Sequence, residues 1–231
     1  MKKKIIFEDE KDFMLKKLLK KFKRKPIILL DMDDTIAEFA QPFWTLHNKL
    51  FKDFVDYLKV NGWNFDEFSK RGKDAYTLFK YPGLFRNLPP KPYAKEFIED
   101  LREIAEVVIV SDSPSGTSYL ETVSLDIDPE HTIDFPHSNP TDDKRMWLEE
   151  HFNFDKDDIV FCSKKDRVIG DILIDDKPAT YNSFVEANRK IILLDAPHNR
   201  DIDTKWRAKD LNHAKKLVYR MLEEMIKEEA S

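Results

Sequence analysis

The sequence predicts an α/β fold: a Rossmann-like parallel sheet with helices on both faces and a small helical cap inserted after the first strand. Three observations predict it. Short, wholly apolar runs alternate with amphipathic stretches, the pattern of strands buried on both sides and covered by helices. Carboxylates and hydroxyls follow several of these runs, which is where parallel sheets bind ligands. Residues 41–88 interrupt the alternation with aromatic-rich, helix-like sequence.

In chain order, residues 1–25 form a basic amphipathic extension. Phe13, Leu15, Leu18, Leu19 and Phe22 lie at helical spacing with lysines around them. Docking on its own domain or on a second copy, as in a homodimer, is favoured over attachment to a membrane surface. Pro26 opens the first strand, Ile27 to Leu30. Residues 41–88 read as a helical cap closed by the rigid "YPGLFRNLPPKP". "YAKEFIEDLREI" is an amphipathic helix and "VVIV" (107–110) a buried strand. Residues 144–152 are helical. "DIVFC", "DILIDD" and "KIILLDAP" supply further strands, and "DLNHAKKLVYRMLEEMIKEEA" a final helix. The core is thus residues 26–40 and 89–231.

Composition narrows the function classes. A chain of 231 residues, 41% hydrophobic and with only 5 glycines, can build a core and is neither disordered nor a repeat array. Its net charge of -5 argues against a nucleic-acid partner. The single cysteine, Cys162, excludes an intrachain disulfide or a Cys-based zinc site and reads as a small buried hydrophobe. No apolar run reaches the ~18 residues of a membrane span. The N-terminus has no apolar secretory core, so a cytoplasmic setting is expected.

The chemistry concentrates at strand ends. "PIILLDMDDT" places Asp31, Asp33 and Asp34 directly after a buried strand, where three carboxylates repel one another. Ser111 ends the next core strand, and Asp175 and Asp176 end "DILIDD". Neighbouring strand ends lie about 5 Å apart, so Asp31 and Asp176 could share one ion despite their separation in sequence. Mg2+ suits such an oxygen site, needing one or two carboxylates plus substrate phosphate and water. A lysine beside it would neutralise phosphate, and Ser111 could donate to a phosphoryl oxygen. His137 and His198 are loop-borne, lack paired-histidine spacing and are poor metal-ligand candidates.

"DMDDT" matches the DxDxT signature of the haloacid dehalogenase-like (HAD-like) phosphatases. Ser111, Lys165 and Asp175-Asp176 match their second, third and fourth motifs in order. "LLDMDDTIAEF", "LPPKPYAKEFIEDL", "DILIDDKP" and "LLDAPHNR" further resemble the 5'(3')-deoxyribonucleotidase family over residues 26–200. The resemblance implies a Mg2+-dependent phosphatase acting on a small phosphate ester, a deoxynucleoside monophosphate. Asp31 would be the nucleophile and Asp33 the acid and base. Asp31, the Asp33 backbone carbonyl and Asp176 would hold Mg2+, with Asp175 behind them. Ser111 and Lys165 would bind phosphate, and Phe39 would line the nucleoside pocket.

Several positions depart from the family pattern. Asp34 stands where glycine is usual. "SDSP" replaces Thr-Ser-Pro, which leaves open whether Asp112 or Ser113 contacts phosphate. Spacing selects Lys165, with the adjacent Lys164 as the alternative. Asn199 and Arg200 could steady the edge of the site. Rival readings are a phosphatase of another small ester such as a phosphosugar, a nucleic-acid end phosphatase, and a catalytically silent docking module.

Overall fold

Ile27–Leu30 (β1) carries no polar side chain because both its faces are covered. It runs parallel between Glu106–Ser111 (β2) and Ile172–Asp175 (β6). A computed structural model of the chain describes residues 24–114 and 122–229. The expected amphipathic helix around Phe13 to Phe22 lies outside these residues.

The main sheet has six strands in the order β5-β2-β1-β6-β7-β8, and every pairing is parallel. Its outer members are Ile159–Phe161 (β5), Lys190–Leu194 (β7) and the two-residue Arg207–Ala208 (β8). Alternation along β1 assigns the faces. Ile28 and Leu30 join the larger core, which includes Phe97, Leu101, Trp147, Leu217 and Leu222. These come from the helices Ala94–Ile104 (α2), Pro140–Phe152 (α3) and Leu211–Glu229 (α5). Leu29 joins Val110, Leu173 and Ile191 beneath Phe184 of the helix Pro178–Glu186 (α4). Helices therefore cover both faces, as the all-apolar strands require.

Gly170, just before β6, marks a close approach. A Cβ there would lie 2.4 Å from Leu29 Cγ, so the backbone occupies space that no side chain could share.

The segment between β1 and α2 contains one α-helix, Ala40–Phe51 (α1), followed by short 3-10 turns. The sequence suggested more regular helix, but glycine-containing and Pro-bounded stretches give tight turns instead. Aromatic side chains make this segment's own core. Phe43 and Phe65 are 4.8 Å apart between ring centroids, and Phe39 stacks on Phe85 at 5.5 Å.

One element has no counterpart in the sequence reading. Thr122–Asp128 (β3) and His131–Pro136 (β4) form an antiparallel hairpin outside the main sheet. "TVSLDID" alternates apolar and polar residues, a half-buried pattern that a search for continuous apolar runs passes over. The hairpin packs on the inserted segment. Arg71 donates to the Asp126 carbonyl, and Tyr81 meets Phe135 at 5.1 Å. The short edge strand β8 was likewise not foreseen. No helix among the described residues is long and apolar enough to cross a membrane.

Candidate active site

The carboxyl ends of β1, β2 and β6 converge on one polar cluster in an otherwise apolar interior. Asp31 continues the β1–β6 ladder, its N–H donating to the Ile174 carbonyl at 3.0 Å. The chain then coils tightly, with the N–H groups of Thr35, Ile36 and Ala37 all directed to the Met32 carbonyl. That coil turns Asp33 and Asp34 to different sides.

Lys165 bridges the cluster. Its Nζ lies 2.5 Å from Asp31 Oδ1 and 2.6 Å from Asp175 Oδ2. Asp175 also accepts from the Lys177 N–H at 2.7 Å. These carboxylates hold the Lys165 ammonium charged despite its burial, raising its pKa. Burial pushes Asp175 up to about 7, against the pull of Lys165. Lys164 is exposed, so the side chain reaching the cluster is that of Lys165.

Asp31, Asp175 and Asp176 present carboxylate oxygens within 4.8 Å of one another, all from buried residues. Both oxygens of Asp176 are buried and accept no hydrogen bond, although the His198 ring nitrogen stands 3.0 Å from Oδ2. Buried carboxylates met only in part by Lys165 and His198 are costly. Such an all-oxygen set fits a hard divalent cation.

The second side of the site contains a residue the sequence reading missed. Lys144 of α3 is fully buried and places Nζ 2.5 Å from Asp33 Oδ2. The same ammonium donates to Ser111 Oγ at 3.2 Å and to the Asp112 carbonyl at 2.5 Å. Its signal was present in the sequence. Pro140, Lys144, Trp147, Leu148 and Phe152 all fall on the buried face of α3, and one of them is a lysine. Asp33 itself is raised to about 6, chiefly by burial, with Lys144 opposing and Asp31 adding to the rise.

The remaining expected residues fall as follows. Ser111 is fully buried with its hydroxyl at Lys144. The Asp112 side chain is half exposed and points to Lys177, 3.7 Å away, so its charge is turned outward. Ser113 shares a hydrogen bond with Thr141 at the start of α3, at 3.0 Å. Phe39 is 6% exposed and packed among other rings of the inserted segment. Asn199 donates to the Asp176 carbonyl at 2.7 Å and to the Leu194 carbonyl at 2.8 Å, bracing that loop. Arg200 is exposed.

Asp34 is explained by the backbone. Its φ of 51° is left-handed, the region glycine enters without strain. Its carboxylate accepts from the Phe39 and Ala40 N–H groups at 2.9 and 3.1 Å, capping α1 from five and six residues upstream. Burial, and then repulsion from Asp176, raise it to about 6. His198 was set aside as a ligand, yet its Nε2 lies 3.0 Å from Asp176 Oδ2. Burial opposes its protonation, but Asp176 and Asp34 outweigh this and raise its pKa. The indole of Trp63 meets the His198 ring edge-on at 5.1 Å.

The sequence profile of the 5' nucleotidase, deoxy (pyrimidine), cytosolic type C family matches residues 25–223. The chain belongs to this family. It is accordingly a phosphoric monoester hydrolase with a HAD-like α/β fold. A 5'(3')-deoxyribonucleotidase of Clostridium acetobutylicum is 31% identical, the match covering 84% of this chain and 94% of that protein. One of Bacillus subtilis is 25% identical, covering 77% and 89%. A solved structure from Mycobacterium tuberculosis, named Protein Tyrosine Kinase A, superposes with a TM-score of 0.54 over 84% of this chain and 98% of its own. At 11% identity that likeness concerns the fold alone. The nucleotidase family match therefore rests on sequence.

Proposed function

We propose that the chain is a Mg2+-dependent 5'(3')-deoxyribonucleotidase working through an aspartyl-phosphate on Asp31. The observation that carries this reading is the pairing of two unlike carboxyls. Asp31 is paired with the Lys165 ammonium at 2.5 Å, while Asp33 beside it keeps its proton up to about pH 6. A nucleophile and an acid of this kind suit an ester whose leaving oxygen must be protonated.

In the first step an Asp31 carboxylate oxygen attacks phosphorus, and the bond from phosphorus to the nucleoside oxygen breaks. Asp33 gives that oxygen its proton. Asp33, now ionised, takes a proton from water as the water oxygen attacks the same phosphorus. Inorganic phosphate leaves and Asp31 is regenerated. Lys165 and Ser111 hold phosphoryl oxygens, and Lys144 fixes the Asp33 carboxyl facing them. Asp31, the Asp33 carbonyl and Asp176 would hold Mg2+, which when bound neutralises charge on the transferring group. The 41–88 segment acts as a cap that closes the site off from bulk solvent.

Phosphate release from ribo- and deoxyribonucleoside monophosphates, 5' and 3', with sugar phosphates alongside, tests this. Release from deoxynucleotides is expected with Mg2+, is lost in EDTA, and falls by about 10³-fold or more in Asp31→Asn, which removes the nucleophile. Release confined to sugar phosphates would refute the substrate. Full activity in Asp31→Asn would refute the mechanism.

A further inference from the structure

Lys165 reaches Asp31 and Asp175, and what stands against the Asp176 carboxylate is instead the imidazole of His198. Its Nε2 lies 3.0 Å from Oδ2, within reach but off the line of a hydrogen bond. The loop after β7 holds the ring there. Buried Asn199, the next residue, donates to the Asp176 carbonyl at 2.7 Å and to the Leu194 carbonyl at 2.8 Å, and accepts from the Ala196 N–H at 3.2 Å. Arg207 of β8 donates to the Asn199 side chain and carbonyl, both at 2.8 Å, and to Asp195 at 2.7 Å. The backbone that carries His198 is thus tied to the backbone of Asp176 itself.

The same imidazole meets the inserted segment. Trp63 packs edge-on against it, with 5.1 Å between ring centroids, and the Lys177 ammonium lies 4.6 Å from the centre of the Trp63 ring. Trp63 and His198 both border a cavity of about 410 Å³ between the inserted segment and the core. Contact on this side is therefore made by individual rings beside open space. His198 is the side chain that touches both the inserted segment and a carboxylate of the cluster.

We propose that His198 is a positioning residue for Asp176, and that through it Trp63 carries the position of the inserted segment into the cluster's affinity for a divalent cation. The inference rests on the metal reading of the cluster given above. Turned onto Nε2, the Asp176 carboxyl has one oxygen engaged by the imidazole and the other left for the cation. A carboxyl fixed in this way has less rotational freedom to lose on binding, which is how hydrogen-bond partners behind a ligand raise metal affinity. Trp63 packs on the imidazole and so limits where Nε2 can stand. By reciprocity, the Trp63–His198 contact is favoured to the same degree when the cluster is loaded.

The test is Mn2+ binding to the full chain, followed through the electron paramagnetic resonance of the free ion, with Mg2+ as competitor and no substrate present. His198→Phe keeps a ring against Trp63 and removes the nitrogen, and should weaken binding of both ions about tenfold or more. His198→Gln can still donate to Asp176 and should recover part of that loss. Trp63→Ala should weaken binding about fivefold in the wild-type background and not at all in His198→Phe. Urea unfolding in EDTA checks that each variant is folded. Unchanged affinity in His198→Phe or in Trp63→Ala would overturn the proposal. So would a Trp63→Ala effect of equal size with and without the imidazole, since it would then act through Lys177. Binding that Asp176→Asn abolishes but His198→Phe leaves intact would keep the metal reading and sink this inference alone. A chain that binds neither ion would refute the metal reading, and the role of His198 with it.

Discussion

Replacing Lys165 by methionine isolates the energetics of the cluster. The ammonium is 3% exposed and is paired with Asp31 at 2.5 Å and Asp175 at 2.6 Å. Removing one member of a buried pair typically costs 3–5 kcal/mol, roughly, because the partner charge is left unmatched. The Asp175 carboxyl carries the pH dependence. It is fully buried and ionises at about 7 rather than 3.8, which by linkage opposes folding by about 4 kcal/mol once it is ionised. That penalty is absent below the unfolded value of 3.8 and complete above about 7. Lys165 pulls this value down, so without it the folded value rises further and the penalty continues to grow beyond neutral pH. Lys165→Met should therefore lose about 3–5 kcal/mol at pH 8, a fall in Tm of roughly 6–20 °C for a chain of this size, and distinctly less at pH 6. Urea unfolding followed by circular dichroism in EDTA, at both pH values, measures it. The double variant Lys165→Met/Asp175→Asn should recover part of the loss. A loss below about 1 kcal/mol, the scale of an exposed ion pair, would refute the buried-pair argument. A loss equal at both pH values would refute it too.

Three further outcomes follow from the geometry. Lys144→Met removes the attraction that lowers the Asp33 pKa, so the high-pH limb of the kcat/KM profile should move to higher pH as the overall rate falls. A profile of unchanged shape would remove Lys144 from the site. Gly170→Ala forces a Cβ to 2.4 Å from Leu29 Cγ and should cost about 1–3 kcal/mol of stability, read as a lower urea midpoint at unchanged slope. Asp34→Gly suits the left-handed backbone but loses the cap on α1, and it removes a carboxyl raised to about 6. Because that carboxyl opposes folding only when ionised, the variant should be less stable relative to wild type at pH 4 than at pH 8, a difference thermal melts at the two pH values would show.

The parts of the site that were legible in sequence share a physical cause. A wholly apolar strand must be buried on both faces, and carboxylates at its end can persist only where an ion or lysine meets them. Asp31, Asp33, Ser111 and Asp175-Asp176 were found in that way. Lys144 was not, because it belongs to no strand end. It is recognisable only as a lysine on the apolar stripe of α3, and the stripe is complete only when the helix begins at Pro140. The β3–β4 hairpin was missed because its alternation is that of a half-buried ribbon and not of a sheet core.

The sequence by itself determined the α/β class, the strand ends at which polar side chains gather and the family, since these depend on local pattern and residue order. Tertiary structure decided what depends on convergence of distant segments. It chose Lys165 over Lys164, turned the Asp112 carboxylate toward Lys177, and brought His198 to Asp176. It also opened a cavity whose walls are drawn from both ends of the chain. Those outcomes turn on distances of a few ångströms between residues far apart in sequence, where charge and burial are set by packing rather than by neighbours along the chain.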